Sequence, residues 1–295
     1  MDRSAPSELL IRQRLRALEK NLPAAAKGNV NALHQARVAS RRIREALPLV
    51  SAGSRGRRLG RQMRKITQAL GPVRDLDVAL LILDEMERSG EVSRSALARL
   101  RQAVSRERQL LYADMKRRLE ECDFEKLRKR ALGAARRTSG SRGIRDPKRL
   151  ARAQQRSARR AERLRMAIEN AAGIYLPDRL HEVRIAVKKL RYAMELVREL
   201  SGSRAAAKLR TLKESQDLLG RIRDLEILIA RTRAVQGAPG APNLKLSAEL
   251  DRIVRRFEND CRQLHGHYMS SRQSLLSICD HAIAAADPKR AARAA

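Results

Sequence analysis

Basic side chains at one-turn spacing occur twice in this sequence, each time led by a histidine. The segment "HQARVASRRIREAL" begins at His34, and the related segment "HEVRIAVKKLRYAMEL" begins at His181. Spacings of three and four residues place each set within a stripe of roughly 80° on one side of an α-helix: His34, Arg37, Arg41 and Arg44, and then His181, Arg184, Lys188 and Arg191. Guanidinium, ammonium and imidazole groups in such a row can follow a chain of phosphates without reading bases. The pattern therefore indicates sequence-independent binding of a polyanion.

The opposite side of each predicted helix is apolar, so that one face packs and the other presents cations. The apolar positions are Ala36, Ala39, Ile43 and Leu47, and then Val183, Ala186, Leu190 and Met194. A solvated basic face is the ordinary alternative for one such helix, but its recurrence favours a ligand. Two roles stay open for the histidines. Each either contacts the ligand or bonds a backbone carbonyl or an acid such as Asp75 or Asp224.

The two segments belong to a longer repeat. The motif "LGPVRDLD" at Leu70 returns as "LGRIRDLE" at Leu219, in the same order and at nearly the same offset as the histidine segments. This recurrence predicts a duplicated helical lobe. Between the two motifs, Arg61 and Arg64 correspond to Arg210 and Lys213, and these cations either line the same groove or belong to an ordinary charged surface.

Other candidate sites in the sequence favour structural roles. The acids of "RDLD" and "RDLE" are two residues apart and do not share a helix face, so a cap or an Arg–Asp strut is favoured over catalysis. The "HGH" at His265 lacks further ligands at metal spacing. No phosphate-binding loop, nucleophile elbow or HExxH motif occurs. We therefore expect no enzymatic activity, metal or cofactor.

Composition supports the same interpretation. The 295 residues include 65 Lys and Arg against 33 Asp and Glu, a net charge of +32. So much like charge calls for an extended anionic partner, which is DNA, RNA, an anionic membrane or inorganic polyphosphate. The three cysteines form no disulfide or metal pattern. No apolar run is long enough for a signal peptide or a membrane span, which predicts a cytoplasmic protein.

Helical periodicity runs through nearly the whole chain, and aromatic residues are only 2%. We therefore predict an all-α protein with an aliphatic core. The "GP" at Gly71 and Pro72 predicts a helix end, with Asp75 capping the next helix. The division into 1–140 and 141–295 follows from the turn-rich segment 138–147, and a basic tail follows from about 287. The predicted helices cover about 7–21, 31–50, 55–70, 73–90, 93–137, 148–172, 177–200, 203–219, 221–235 and 244–286, the last broken near Gly266.

The paired motifs resemble those of the CHAD family, the conserved histidine α-helical domain, over about 7–285. The resemblance implies two four-helix-bundle-like lobes, related by a pseudo-twofold around a basic central groove or pore that binds polyphosphate. It also implies association with polyphosphate granules. The binding set carried over is His34, Arg37, Arg41, Arg42, Arg44, Arg61, Arg64, His181, Arg184, Lys188, Lys189, Arg191, Arg210 and Lys213. Some members are fused to a CYTH-type triphosphatase, but its ExExK strand is absent here, so binding without catalysis is implied. Glu45 and Glu182 depart from the pattern by adding anions near the stripes.

The alternative function is sequence-independent binding of nucleic acid, which the net charge also favours. Against it, four Tyr and two Phe leave little surface for base stacking. A phosphohydrolase would need clustered carboxylates to hold metal ions, and the sequence shows none. Polyphosphate binding is therefore the preferred prediction.

Overall fold

A computed structural model describes residues 6–51, 53–138, 147–171, 173–202, 206–238 and 243–286. Within these ranges the chain forms nine α-helices and no strand, which confirms the all-α prediction. None of these helices is both long and apolar enough to cross a bilayer. The helices are α1 (Pro6–Ala26), α2 (Val30–Val50), α3 (Gly53–Ser89), α4 (Arg94–Glu120), α5 (Phe124–Thr138), α6 (Pro147–Asn170), α7 (Pro177–Ser201), α8 (Ala206–Gln236) and α9 (Leu244–Ala284).

The predicted helix break at Gly71 and Pro72 is wrong, because α3 continues through both residues. Proline in a helix interior removes one backbone hydrogen bond. Here Leu70, Val73 and Leu76 are all fully buried on either side of the proline. Burial of that apolar face outweighs the local preference to stop. Asp75 is consequently a mid-helix residue and not a cap.

Three further predicted helix ends differ from the structure. The predicted boundary near Gly220 is absent because α8 is continuous, with Leu219 and Ile222 buried on either side. The break near Gly266 is also absent, since α9 is one helix that buries Cys261 and Tyr268 around that position. The first helix passes the predicted end at residue 21 and reaches Ala26. In each case tertiary packing extends a helix beyond a local stop signal.

Side-chain caps place the helix starts that matter for the site. The side chain of Asn29 accepts a hydrogen bond from the backbone amide of Ala32 at 2.8 Å, which caps α2. Asn243 caps α9 in the same way, through the amide of Leu246 at 2.9 Å. A capping amide oxygen satisfies a backbone N–H that has no helical partner. The start of α2 sets which of its residues face its neighbours.

The buried faces of α2 and α7 are those that the sequence predicts. Ala36, Ile43 and Leu47 in α2 are at most 1% exposed, and Val183 and Leu190 in α7 are fully buried. The cationic stripe of each helix is therefore turned away from the core.

The core of the described chain consists of two hydrophobic clusters. The first joins α1, α2, α5 and the N-terminal half of α3. The second joins α6, α7, α8 and α9, and it also takes in α3 from Leu76 onward and the first half of α4. Both α3 and α4 therefore run from one cluster into the other. The division at residues 140 and 141 stays a prediction, and the segments 139–146 and 287–295 lie outside the described residues.

Ion pairs between the halves hold α2 beside α7. Arg14 of α1 donates to the backbone carbonyl of Arg42 in α2 at 3.1 Å and also contacts Glu199 of α7 at 2.8 Å. From the other half, Arg160 of α6 contacts Glu45 of α2 at 2.5 Å. Both arginines are mostly buried, so the contacts are shielded from water and resist screening. The two cationic stripes are thereby brought next to each other.

Candidate polyanion-binding site

The two cationic stripes meet at a cavity between α2, α3, α7 and α8. The cavity has a volume of about 300 Å³. Five of the predicted binding residues line it, namely His34, Arg37, Arg41, Arg184 and Lys188. The remaining charged residues of its wall are Arg74, Asp75, Asp217, Arg221 and Asp224. Cations of both halves therefore share one enclosed space.

Arg37 is fixed by contacts with α3. Its Nη1 lies 2.7 Å from Oδ1 of Asp75 and 3.3 Å from the carbonyl oxygen of Gly71. Of the two structural roles predicted for the "RD" acids, the structure shows the strut at Asp75. A charge-assisted hydrogen bond of this kind holds the guanidinium in one orientation.

The repeated glycines lie directly under the repeated arginines. A Cβ built on Gly71 would be 3.8 Å from Nη2 of Arg37, and one built on Gly220 would be 3.9 Å from Nε of Arg184. These are contact distances, so a methyl group fits but a longer side chain would displace the guanidinium. The "LG" in both copies of the motif is thus explained by the close approach of an arginine.

Four cations of the cavity have no carboxylate partner. No described acid lies within 4.0 Å of a charged nitrogen of Arg41, Arg74, Arg184 or Lys188. Buried nitrogens without any hydrogen-bond partner include Nε of Arg37, Nη1 of Arg74 and Nε of Arg184. Buried donors normally find an acceptor, so these N–H groups leave hydrogen-bonding capacity unused beside the cavity.

Burial and mutual repulsion shift the ionisation of the cavity residues. Burial, followed by Arg41 and Arg184, lowers the pKa of Lys188 to about 7. Burial and the neighbouring Arg37 lower the pKa of Arg41 to about 10, and burial raises the pKa of Asp224 to about 6. A lysine with so low a pKa is held where positive charge is unfavourable. The smaller part of the Lys188 shift, which comes from Arg41, Arg184 and Arg37, reflects crowding of like charges that an anion would relieve.

The two histidines flank the cavity without bonding its acids. His34 lies exposed at the rim, where desolvation and repulsion from Arg74 lower its pKa. His181 does not line the cavity, and its Nδ1 is buried without a hydrogen-bond partner. Burial, followed by repulsion from Arg223, lowers its pKa as well. Neither ring forms a hydrogen bond to Asp75 or Asp224 in the described structure. The predicted bond between a histidine and one of these acids is therefore not found.

Three other predicted residues do not line the cavity and are engaged with acids, one of which, Asp217, belongs to the cavity wall. Arg42 lies 3.5 Å from Glu195, and Arg191 pairs with the same carboxylate while donating to Oε1 of Gln216 at 3.0 Å. Lys213 lies 2.7 Å from Asp217. These cations hold acids and neighbouring helices in place.

The remaining predicted residues lie on the surface around the cavity. Arg61, Arg64, Lys189 and Arg210 are exposed. Arg44 is half-buried, and burial together with the nearby Arg64 lowers its pKa. The structure thus groups Arg44 with Arg64 beyond the end of the cavity and leaves the others dispersed.

Comparisons with known proteins identify the family. A family model described as the CHAD domain matches residues 9–287. The chain belongs to the CHAD family. Among solved structures, the CHAD domain of the plant Ricinus communis matches with a TM-score of 0.62 at 20% identity, covering 94% of this chain and 92% of the plant chain. PptA from Streptomyces chartreusis matches with a TM-score of 0.65 at 14% identity, covering 92% of this chain and 100% of that one. These likenesses show the CHAD fold, and no curated protein matches the sequence significantly.

The two acids that depart from the CHAD pattern do not face the cavity. Glu45 is engaged by α6, through Arg160 at 2.5 Å and Arg156 at 3.2 Å. Glu182 is exposed and lies 3.6 Å from Arg179. Neither carboxylate lines the cavity. Their proximity in sequence to the CHAD stripes therefore does not place negative charge in the site.

Sequence reasoning missed the contribution of the "RD" dipeptides to the CHAD cavity. Arg74 and Asp75 of the first dipeptide and Asp224 of the second line it, together with Arg221, although the motif was assigned only structural roles. The available signal was the recurrence of the dipeptide in both copies. Asp77 does have a structural role, because it is buried and 2.6 Å from Nε of Arg108 in α4. Among the residues that the structure describes, no group of three His, Cys, Asp or Glu is placed to hold a metal ion.

Proposed function

We propose that this protein binds inorganic polyphosphate in the cavity between α2, α3, α7 and α8, without catalysing a reaction on it. The observation that carries this proposal is the convergence of partly buried cations without a carboxylate partner from both copies of the repeat, Arg41 from the first and Arg184 and Lys188 from the second. An enclosed set of cations interacts with an anion far more strongly than exposed cations do, because water screens it less.

The shape of the cavity favours a slender ligand. A polyphosphate chain carries charge on every unit and has no sugar or base, so it fits a narrow space of about 300 Å³ between helices. The second candidate ligand is nucleic acid, which the net charge of +32 favours. The cavity wall contains no aromatic side chain for base stacking, and a duplex is too wide to enter between two packed helices.

Cations beyond the cavity support a path for a longer chain. Arg44 and Arg64 lie together beyond Arg41 on the first copy of the stripe. On the second copy, His181 lies close to Arg223. A polymer held in the cavity would extend over these groups, and each exposed contact would add a fraction of a kcal/mol.

Charge reversal tests the proposal. Arg37→Glu, Arg41→Glu, Arg184→Glu and Lys188→Glu together should abolish binding of long-chain polyphosphate, measured by titration calorimetry. The matched control reverses three arginines and one lysine that are exposed and lie outside the cavity, namely Arg94, Lys129, Arg152 and Arg255. The control should bind within about threefold of the unchanged protein, because exposed contacts contribute little. Equal losses in both variants, with helicity intact, would show that overall charge and not the cavity holds the ligand.

Competition separates the two candidate ligands. Long-chain polyphosphate should displace duplex DNA from the protein at equal phosphate concentration and moderate salt, measured by fluorescence anisotropy of labelled DNA. Displacement in the opposite order would favour nucleic-acid binding. For the lack of catalysis, the chain length of polyphosphate after incubation with the protein should be unchanged on a gel.

Association with cytoplasmic polyphosphate granules belongs to the same proposal. A fluorescent fusion of the unchanged protein should co-localise with granules, and the fusion carrying the four reversed cavity residues should be dispersed. Co-localisation of both fusions would separate granule association from the cavity.

A further inference from the structure

Two adjoining cavities lie near the N-terminal half of α3 and share no lining residue with the central cavity. One, of about 510 Å³, lies between α3, the end of α4 and α5. The other, of about 350 Å³, lies between α1, the end of α4 and the start of α5. Ile66 and Cys122 line both cavities. The two spaces, called compartments below, therefore adjoin at these side chains, and each falls in the size range of small-molecule pockets.

The larger compartment is basic. Four cations in its wall have no described carboxylate within 4.0 Å, namely Arg58, Lys65, Lys126 and Arg130. One of its two acids, Asp123, already accepts a hydrogen bond from the backbone amide of Lys126 at 2.8 Å. The amide oxygen of Gln62 is buried there without a hydrogen-bond partner. The compartment therefore offers positive charge to an anionic head group, whereas the Gln62 oxygen can only accept a hydrogen bond.

The smaller compartment is mainly apolar. Its wall includes Leu22, Ala26, Leu119 and Phe124, all of them partly exposed beside the first hydrophobic cluster. Apolar side chains that border a cavity gain about 25 cal/mol for each Å² that a ligand covers. This compartment therefore favours an alkyl chain over a second anion.

The basic compartment has no counterpart in the second copy of the repeat. The positions that correspond to Arg58 and Lys65 in the second copy of the motif are occupied by Ala207 and Glu214. By contrast, the central cavity retains both glycines of the repeat, Gly71 and Gly220. The basic compartment is thus a feature of the first half alone, independent of the proposed polyphosphate site.

We propose that the two compartments together bind one single-chain amphiphile with a phosphate head group. The head lies among Arg58, Lys65, Lys126 and Arg130, and the alkyl chain lies against Leu22, Leu119 and Phe124. The ligand enters as a monomer from solution. The cations on one side of Cys122 match a phosphate head group, and the apolar side chains on the other side match an alkyl chain.

Cys122 supplies a direct assay because it lines both compartments. It is partly exposed, whereas Cys261 and Cys279 are fully buried, so a maleimide will label Cys122 selectively. Burial raises the pKa of the Cys122 thiol, so labelling is slow but can be followed near neutral pH, where maleimide reacts with thiols and not with lysines. Octyl phosphate at ten times its dissociation constant should slow labelling about tenfold, because only about one site in eleven is then free. Inorganic phosphate, octanol and long-chain polyphosphate should each protect far less at the same concentration.

Paired variants test each compartment. Arg58→Ala with Lys126→Ala should weaken octyl phosphate binding about tenfold. Arg57→Ala with Lys129→Ala, at neighbouring positions that are equally exposed but lie outside the cavity, should not weaken it. Lengthening the chain from hexyl to octyl phosphate should tighten binding by up to about fourfold per methylene. Reversal of the central cations should leave this binding unchanged.

Several results would overturn the proposal. Equal protection of Cys122 by octanol would indicate a general apolar pocket, and equal protection by inorganic phosphate would indicate a simple anion site. Equal protection by polyphosphate would assign the compartment to the polyphosphate path. Equal weakening by both pairs of alanine substitutions would mean that net charge alone attracts the ligand.

Discussion

Binding of polyphosphate should be accompanied by proton uptake at Lys188. The pKa of this residue is about 7 in the free protein, since burial and nearby guanidinium groups oppose its charge. At pH 8 only about one molecule in ten therefore carries the proton. A polyanion in the cavity neutralises those neighbours and returns the pKa towards the ordinary value of 10.5. We expect uptake of about 0.9 proton per bound site at pH 8.

The sign of the pH dependence follows from this uptake. The affinity should be nearly constant below about pH 6, where Lys188 is already charged, and should fall by up to about tenfold per pH unit above pH 7. Asp224, whose pKa burial raises to about 6, already carries its proton well below pH 6 and has lost it in almost every free molecule at pH 8. A measurement at pH 8 therefore separates the lysine from the carboxyl group.

Calorimetry in two buffers of different ionisation enthalpy measures the uptake. Long-chain polyphosphate should be used, so that the titratable end groups are few. Lys188→Arg keeps the cation but is charged at pH 8, so it should retain most of the affinity and lose the uptake. Uptake below about 0.3 proton in the unchanged protein, or the same uptake in Lys188→Arg, would refute the reasoning.

Three other outcomes follow from the same structure. Lys188→Met should raise the free energy of unfolding at pH 6 by about 2 kcal/mol and the melting temperature by about 4 °C, because the buried charge of Lys188 destabilises the folded protein below pH 7. The gain should shrink at higher pH, where the lysine loses its proton. A lower melting temperature of the variant in calorimetry would contradict this prediction. Gly71→Leu with Gly220→Leu should weaken polyphosphate binding at least tenfold by displacing the arginines above them, whereas Gly60→Leu, with nothing within 4 Å of its Cβ position, should leave affinity unchanged. In calorimetric titrations at several salt concentrations, a plot of the logarithm of affinity against the logarithm of salt concentration should have a slope of about −3. This value assumes four cavity cations without carboxylate partners at about −0.7 each. A slope near zero would exclude charge neutralisation as the source of binding.

The sequence predicted the helices well because most of them bury one continuous apolar face. It predicted their ends poorly where glycine and proline lie between strongly buried residues. At Pro72 the local signal is real, yet Leu70 and Val73 on either side are fully buried and keep α3 continuous. A stop signal read from a few residues cannot include the packing energy of partners more than thirty residues away.

The site was predicted in outline from the two stripes but not in its composition. Arg37 and Arg184 were found because helical spacing alone places them on one face. Whether a cation stays available depends on distant partners, as Arg42 shows by contacting Glu195 of the other half. Arg74 enters the cavity because α3 packs beside α2, and spacing within one segment does not contain that information.

Our proposal requires one polyphosphate chain to lie in the cavity between α2 and α7. A crystal structure of the protein with a short polyphosphate tests it most directly. We expect phosphate oxygens within hydrogen-bonding distance of Arg41 and Arg184, with the unpaired N–H groups of Arg74 and Arg184 satisfied. A chain bound only to exposed cations, with those donors still unpaired, would contradict the account.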